Sequence, residues 1–292
     1  MGIRSYYSAL AIGILSLVLS GCVTTQDSQE QDENSLFGQT IDPGKQEMLG
    51  GLHHYLSQIQ RQGNNGDKYA QRKMGDILLA SGDNQEAMEW LKKAAANGDV
   101  DAQTQLGDEY FRGVKLLPDY AEAFKWYKQA AEAGNAHAQS QLASLYLNGR
   151  GTTYNLKQAI YWDNLAAEKG IAASQNNLGA AYTHGDGVPK NPETAVFWYT
   201  KAAHQGVIEA QFNLAGSYYL GQGVIKNYEQ AYAWYATVSK YGIGDLADTA
   251  RKMIDRLSPS LSKSGKYSAA KQLAEQYSVS YAPRKNTSLI QY

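Results

Sequence analysis

All five tryptophans of this 292-residue chain stand 36 residues apart: Trp90, Trp126, Trp162, Trp198 and Trp234. An alanine precedes each by three (Ala87, Ala123, Ala159, Ala195, Ala231), and a glycine follows each by eight (Gly98, Gly134, Gly170, Gly206, Gly242). A period of this size marks a solenoid, in which each unit buries its apolar face only against its neighbours. It overrides the one or two globular domains that length alone suggests. A second column, Gln71, Gln103, Gln139, Gln175 and Gln211, keeps the period except for a first interval of 32, so the first repeat is four residues short. The missing residues fall in the loop before Trp90, where later repeats carry Gly149-x-Gly151, Gly185-x-Gly187 and Gly221-x-Gly223.

Each unit reads as two helices. Ala102, Leu106 and Tyr110 share one face of a first helix, and Ala123, Trp126, Tyr127 and Ala130 share one face of a second. Asp83, Asp119, Asn155, Asn191 and Asn227 sit seven before the tryptophans and read as N-caps of the second helices, because their side-chain oxygen can accept an orphan backbone N–H. Glu86, Glu122, Gln158 and Gln230 follow three later, the spacing of a capping box. Pro192 falls at N1, where its missing N–H costs nothing. Gly113, Gly149, Gly185 and Gly221 stop the first helices, and the glycines eight after each tryptophan stop the second in a left-handed conformation. Gly75, Gly107, Ala143, Gly179 and Ala215 put a small residue inside each first helix, expected to let the partner helix and its tryptophan approach.

These residues resemble the Sel1-like repeat, a relative of the tetratricopeptide repeat. Residues 174–206 follow that pattern closely, through Leu178-Gly179, Tyr182, Gly185-x-Gly187-Val188, Trp198-Tyr199, Ala202-Ala203 and Gly206. The resemblance implies an all-α fold, a right-handed α/α solenoid of helix-turn-helix repeats with terminal capping helices. Departures are local: repeat one has Leu78 for the tyrosine and no G-x-G loop, and Thr237-Val238-Ser239 replaces the double alanine of the last repeat.

The ends are expected to differ from the middle. Arg4, the apolar run Ala9–Leu19 and Leu19-Ser20-Gly21-Cys22 resemble the signal and lipobox of bacterial lipoproteins. The run is too short to span a bilayer. The resemblance implies acylation of Cys22, the chain's only cysteine, and Val23 after it favours the outer membrane of a Gram-negative cell, facing the periplasm. Residues 1–21 thus read as a signal peptide and 22–43 as the lipidated cysteine with a disordered acidic tether. A capping helix is expected at 44–65, five repeats at 66–243, capping helices at 244–278 and a flexible tail at 279–292. Within the C-terminal cap, one helix is expected over Asp245–Leu257, and Ser258-Pro259 reads as N-cap and N1 of a second, ending near Tyr277.

Chemistry is sparse. One cysteine excludes an internal disulfide and a multi-cysteine zinc site, and a net charge of −1 argues against nucleic acid as a partner. No HExxH, GxSxG, GxGxxG or GxxxxGK motif is present. Ser260-x-x-Lys263 matches the minimal SxxK of penicillin-binding enzymes without its companion motifs. The histidines, His53, His54, His137, His184 and His204, do not form a ligand spacing, so neither metal nor cofactor is expected.

The candidate binding surface is a row along the first helices. Gln105, Gln141, Asn177 and Asn213 recur at 36, following Lys73 in the short first repeat, and offer amides to the backbone of an extended partner. The same amides could instead bond neighbouring helix ends. Three residues on lie Asp108, Ser144, Ala180 and Gly216, and beyond them Arg112, Asn148, His184 and Leu220, a row varied enough for specificity. The resemblance implies a non-catalytic scaffold, anchored to the envelope membrane, binding protein partners on its concave face and needing no small-molecule substrate. The alternatives are an envelope hydrolase or penicillin-binding enzyme, and a purely structural spacer.

Overall fold

The computed structural model describes residues 43–113 and 117–283. The expected signal peptide, Cys22 and most of the tether lie outside these residues, as does the tail beyond 283. The described residues hold thirteen α-helices and no strand. The chain falls into two compact units, Met1–Leu117 and Pro118–Tyr292.

The first unit contains α1 (Pro43–Asn64), α2 (Lys68–Ser81), α3 (Asn84–Ala96) and α4 (Val100–Arg112). Its core gathers Ile59 of α1, Ala70, Met74 and Leu78 of α2, and Ala87 and Trp90 of α3. The second contains α5 (Tyr120–Glu132), α6 (Ala136–Asn148), α7 (Leu156–Glu168), α8 (Ala172–His184), α9 (Pro192–His204), α10 (Ile208–Leu220), α11 (Tyr228–Tyr241), α12 (Gly244–Lys263) and α13 (Tyr267–Ser280). Within each unit, each helix packs on those next to it in sequence, as nearest-neighbour stacking requires.

The caps follow the sequence with one exception. Asp119, Asn155, Asn191 and Asn227 each accept a backbone N–H in the first turn of their second helix, whereas Asp83 makes no such bond. Three first helices have caps that the sequence reading passed over: Asp67, Asp99 and Asn135 accept from the turns they open. Asp99 is 3% exposed and lies 3.1 Å from Arg72 Nε, so it joins α2 to α4 as well.

Two glycine roles are set by close approach. Gly151 and Gly223 are left-handed, and a Cβ on them would fall 1.9 Å from Tyr120 O and 2.1 Å from Pro192 O. The second glycine of the G-x-G loop is therefore where the loop lies directly on the start of a second helix. Inside the first helix, a Cβ on Gly179 would meet the Tyr199 ring at 2.5 Å, and one on Gly75 would meet Leu91. The small residue makes room for the side chain after the tryptophan, not for the tryptophan itself.

The C-terminal end departs from expectation at three points. Ser258-Pro259 does not begin a helix; α12 runs through both. Leu257 and Leu261 are both 1% exposed and lie four apart, so burying the pair needs one continuous helix. Near the helix end the proline loses only one backbone bond, and the break comes at Gly265, which is left-handed. Gly242 is extended (φ −73°) rather than left-handed, and its N–H bonds Val238 O. The tail expected to be loose from 279 is docked at Tyr281: its O accepts from Gln211 Nε2 at 2.7 Å, and its ring stacks on His204 at 4.3 Å and Trp234 at 5.2 Å.

Candidate partner-binding surface

Repeats present two kinds of polar column, and the structure separates them. The first is internal. Nε2 of Gln71, Gln103, Gln139, Gln175 and Gln211 donates to Gly63, Ala95, Ala131, Ala167 and Ala203 O, at 2.8 to 3.1 Å. These carbonyls belong to the last turn of the preceding helix, whose acceptors have no helical partner of their own. The five glutamines are 8% exposed or less, so the column joins consecutive helices and is closed to a partner. Three are bonded further: Gln71 Oε1 accepts from Asn97 Nδ2 at 2.8 Å, Gln175 Oε1 accepts from Gln205 Nε2 at 2.7 Å, and Gln211 Nε2 donates also to Tyr281 O. Their recurrence is plain in the sequence; their role is not, because it depends on which carbonyl they reach.

The second column is the candidate row, and its members fare unequally. In the first unit, Gln105 Nε2 donates to Asp76 Oδ1 at 2.7 Å, and Asp108 faces Arg112 at 4.0 Å. In the second unit Gln141 and Ser144 are 7% and 4% exposed, which removes them from an accessible row. Asn177 is half-buried and donates to Asp163 Oδ2 at 3.2 Å. Asn213 is half-buried. The accessible part lies one turn further, at the ends of the first helices. Arg112 is exposed at the end of α4, and Asn148, His184 and Leu220 end α6, α8 and α10, all exposed. Asn148 is steadied by its own bond to Ser144 O at 2.9 Å. A row with an amide, an imidazole and an aliphatic tip can bond and pack against a peptide; it holds no nucleophile with a base.

One polar group was missed. Asp163 follows Trp162 where other repeats carry Leu91, Tyr127, Tyr199 and Tyr235, and it is 2% exposed. Burial pushes its carboxyl up to about 7, against the pull of nearby Ser174 and Asn177. Its Oδ1 meets no donor in bonding geometry, since the Ser174 hydroxyl is engaged with Ser140 Oγ at 2.9 Å. The signal was in the sequence: one acid in an otherwise apolar column.

Other candidates lead away from chemistry. Ser260 and Lys263 are both exposed on the last turns of α12. His204 is partly covered by Trp234 and Tyr281, and that burial pushes its imidazole pKa down. Among the described residues no group of His, Cys, Asp or Glu could hold a metal ion, and no helix is long and apolar enough to cross a membrane.

Paired helices with a tryptophan on each second helix, glutamine staples and a G-x-G loop define a helical-repeat protein. The Sel1 repeat profile matches residues 68–99, 100–135, 136–171, 172–207 and 208–237, and the chain belongs to the Sel1 repeat family. Members of this family are generally protein–protein interaction scaffolds. The chain is similar to c5321 of uropathogenic Escherichia coli, a protective antigen with this fold, at 31% identity and a TM-score of 0.66 over 81% of this chain. It spans about half of that antigen's length, 52%. It is also similar to a Sel1 repeat protein from Oxalobacter formigenes, at 29% identity and a TM-score of 0.59, covering 80% of this chain and 99% of that one. No curated protein matches the chain in sequence.

Proposed function

We propose that this protein is a non-catalytic scaffold of a bacterial envelope, held to the outer membrane by acyl chains on Cys22 and facing the periplasm. Its protein partner docks along the ends of the first helices. The observation that carries the docking site is the division of polar groups: the glutamine column is consumed inside the stack, while Asn148, His184 and Leu220 stay exposed at equivalent positions of successive repeats. An extended segment that crosses successive repeats would meet one of them in each. The anchor is supported by the basic start, the apolar run and Leu19-Ser20-Gly21-Cys22. One acyl chain holds a protein only marginally, and two or more hold it stably.

The test is a photoreactive residue placed at His184 or at Leu220 in living cells. The reading expects the same discrete protein adduct from both sites and none from Lys128, exposed on the second helix α5. No adduct from either site, or the same adduct from Lys128, refutes this docking face.

A further inference from the structure

The buried acid in the third repeat has no part in the docking row, yet the sequence gives it an unusual setting. Asp163 on α7 is the one carboxylate in a column otherwise filled by leucine and tyrosine. Between α6 and α8 its polar surroundings are neutral: Asn177 donates to Oδ2, and Ser174 next to it is bonded to Ser140. Neither α6 nor α8 carries a Lys, Arg, Asp or Glu; their titratable side chains are His137, Tyr146, Tyr182 and His184. On α7 itself Lys157, Tyr161 and Glu168 are exposed, and on α9 Lys201 lies over the Phe197 and Trp198 rings. What acts on the carboxyl is burial, the Asn177 hydrogen bond and the nearby Ser174 hydroxyl, with no cation to offset a charge.

An ionised carboxylate in such a place is short of donors. It has one amide and an oxygen with no partner, and a buried charge without compensation is strongly unfavourable. A neutral carboxyl fits better, because its O–H can donate to Ser174 Oγ, which donates on to Ser140. Joining those groups ties α7 to α8 and α8 to α6. We propose that Asp163 is a proton-operated latch: the neutral acid clamps the α6–α7–α8 joint, and ionisation loosens it. The middle of the second unit is then stiffer in mild acid and slacker above neutrality, while α9 and α10 are indifferent.

Hydrogen exchange of the full chain in mild detergent tests this, followed from pH 5.5 to 8.5 and corrected for the intrinsic pH dependence of amide exchange. Protection of the slowest amides in α7 and α8 is expected to fall by about thirtyfold across that range, from the release of one such acid on opening. Those of α9 and α10 should change much less, and the wild-type chain carries this comparison within itself. In Asp163→Asn, which keeps the shape and cannot ionise, the fall in α7 and α8 should vanish. Identical pH profiles for α7–α8 and α9–α10 in the wild type overturn the latch. So does a fall that persists in a folded Asp163→Asn.

Discussion

Replacing Trp234 by alanine should destabilise the protein more than replacing Trp162, although Trp162 has repeats on both sides and Trp234 borders the end of the array. A linear stack of equal units predicts the reverse, since damage in the middle breaks more neighbours. The side chains decide otherwise. Trp234 is 2% exposed, with ring centroids of Tyr277, Tyr281 and His204 at 4.4, 5.2 and 5.9 Å. Trp162 is 8% exposed, has one ring neighbour, Tyr161 at 5.0 Å, and its indole nitrogen finds no acceptor. Truncating a buried tryptophan costs roughly 3–5 kcal/mol, and each aromatic pair adds about 0.5–1.5 kcal/mol beyond area. Two additional pairs place Trp234→Ala about 1–3 kcal/mol beyond Trp162→Ala. Urea melts followed by far-UV circular dichroism measure the difference, and limited proteolysis shows whether residues 267–283 come free in Trp234→Ala alone. Equal midpoints, or a lower midpoint for Trp162→Ala, would refute the argument that Tyr281 and α13 make the last repeat as tightly held as an inner one.

Asp163 makes stability depend on pH in a stated direction. Burial holds its carboxyl at about 7, above the ordinary aspartate value of 3.8, so the native state binds the extra proton between the two. The stabilisation is complete below about pH 4, falls as pH rises through 7 and is then level; three units correspond to about 4 kcal/mol. Urea midpoints of Asp163→Asn should lack this decline, and a decline equal to wild type would contradict it. Gly223→Ala should cost roughly 2–4 kcal/mol, from a left-handed backbone and a Cβ driven into Pro192 O, whereas Gly98→Ala meets open space and should cost only about 1–2 kcal/mol by thermal melt. Cys22→Ser should abolish fatty-acid labelling and release the protein from the membrane fraction; label retained by the variant would end the lipoprotein reading.

What the sequence made legible is what repetition makes legible. Five copies of one 36-residue pattern average out local ambiguity, so the helix pairs, four of the five second-helix caps and the left-handed glycine stops other than Gly242 could be read directly. The misreadings lie where a position is used once. Ser258-Pro259 has the form of a helix start, and only the joint burial of Leu257 and Leu261 shows that the helix continues. Tyr281 lies in a segment without periodicity, and its role depends on His204, Trp234 and Gln211, far away in sequence. The candidate row failed in part for a similar reason. Gln141 and Asn177 share a register position, but Gln141 is covered and Asn177 turns to Asp163, an acid found in one repeat only. Residue type at a repeat position fixes the face of a helix and not the depth beneath its neighbours.

The claim that these repeats bind a partner through the ends of their first helices is tested most directly by a triple substitution, Asn148→Ala/His184→Ala/Leu220→Ala. All three side chains are exposed, so the fold should survive unchanged by circular dichroism. A single neutral hydrogen bond contributes only about 0.5–1.5 kcal/mol, so Asn148→Ala and His184→Ala taken singly should each weaken recovery of the His184 cross-linking partner modestly. The folded triple variant should lose that partner almost entirely. Full recovery of the partner by the folded triple variant would contradict the account.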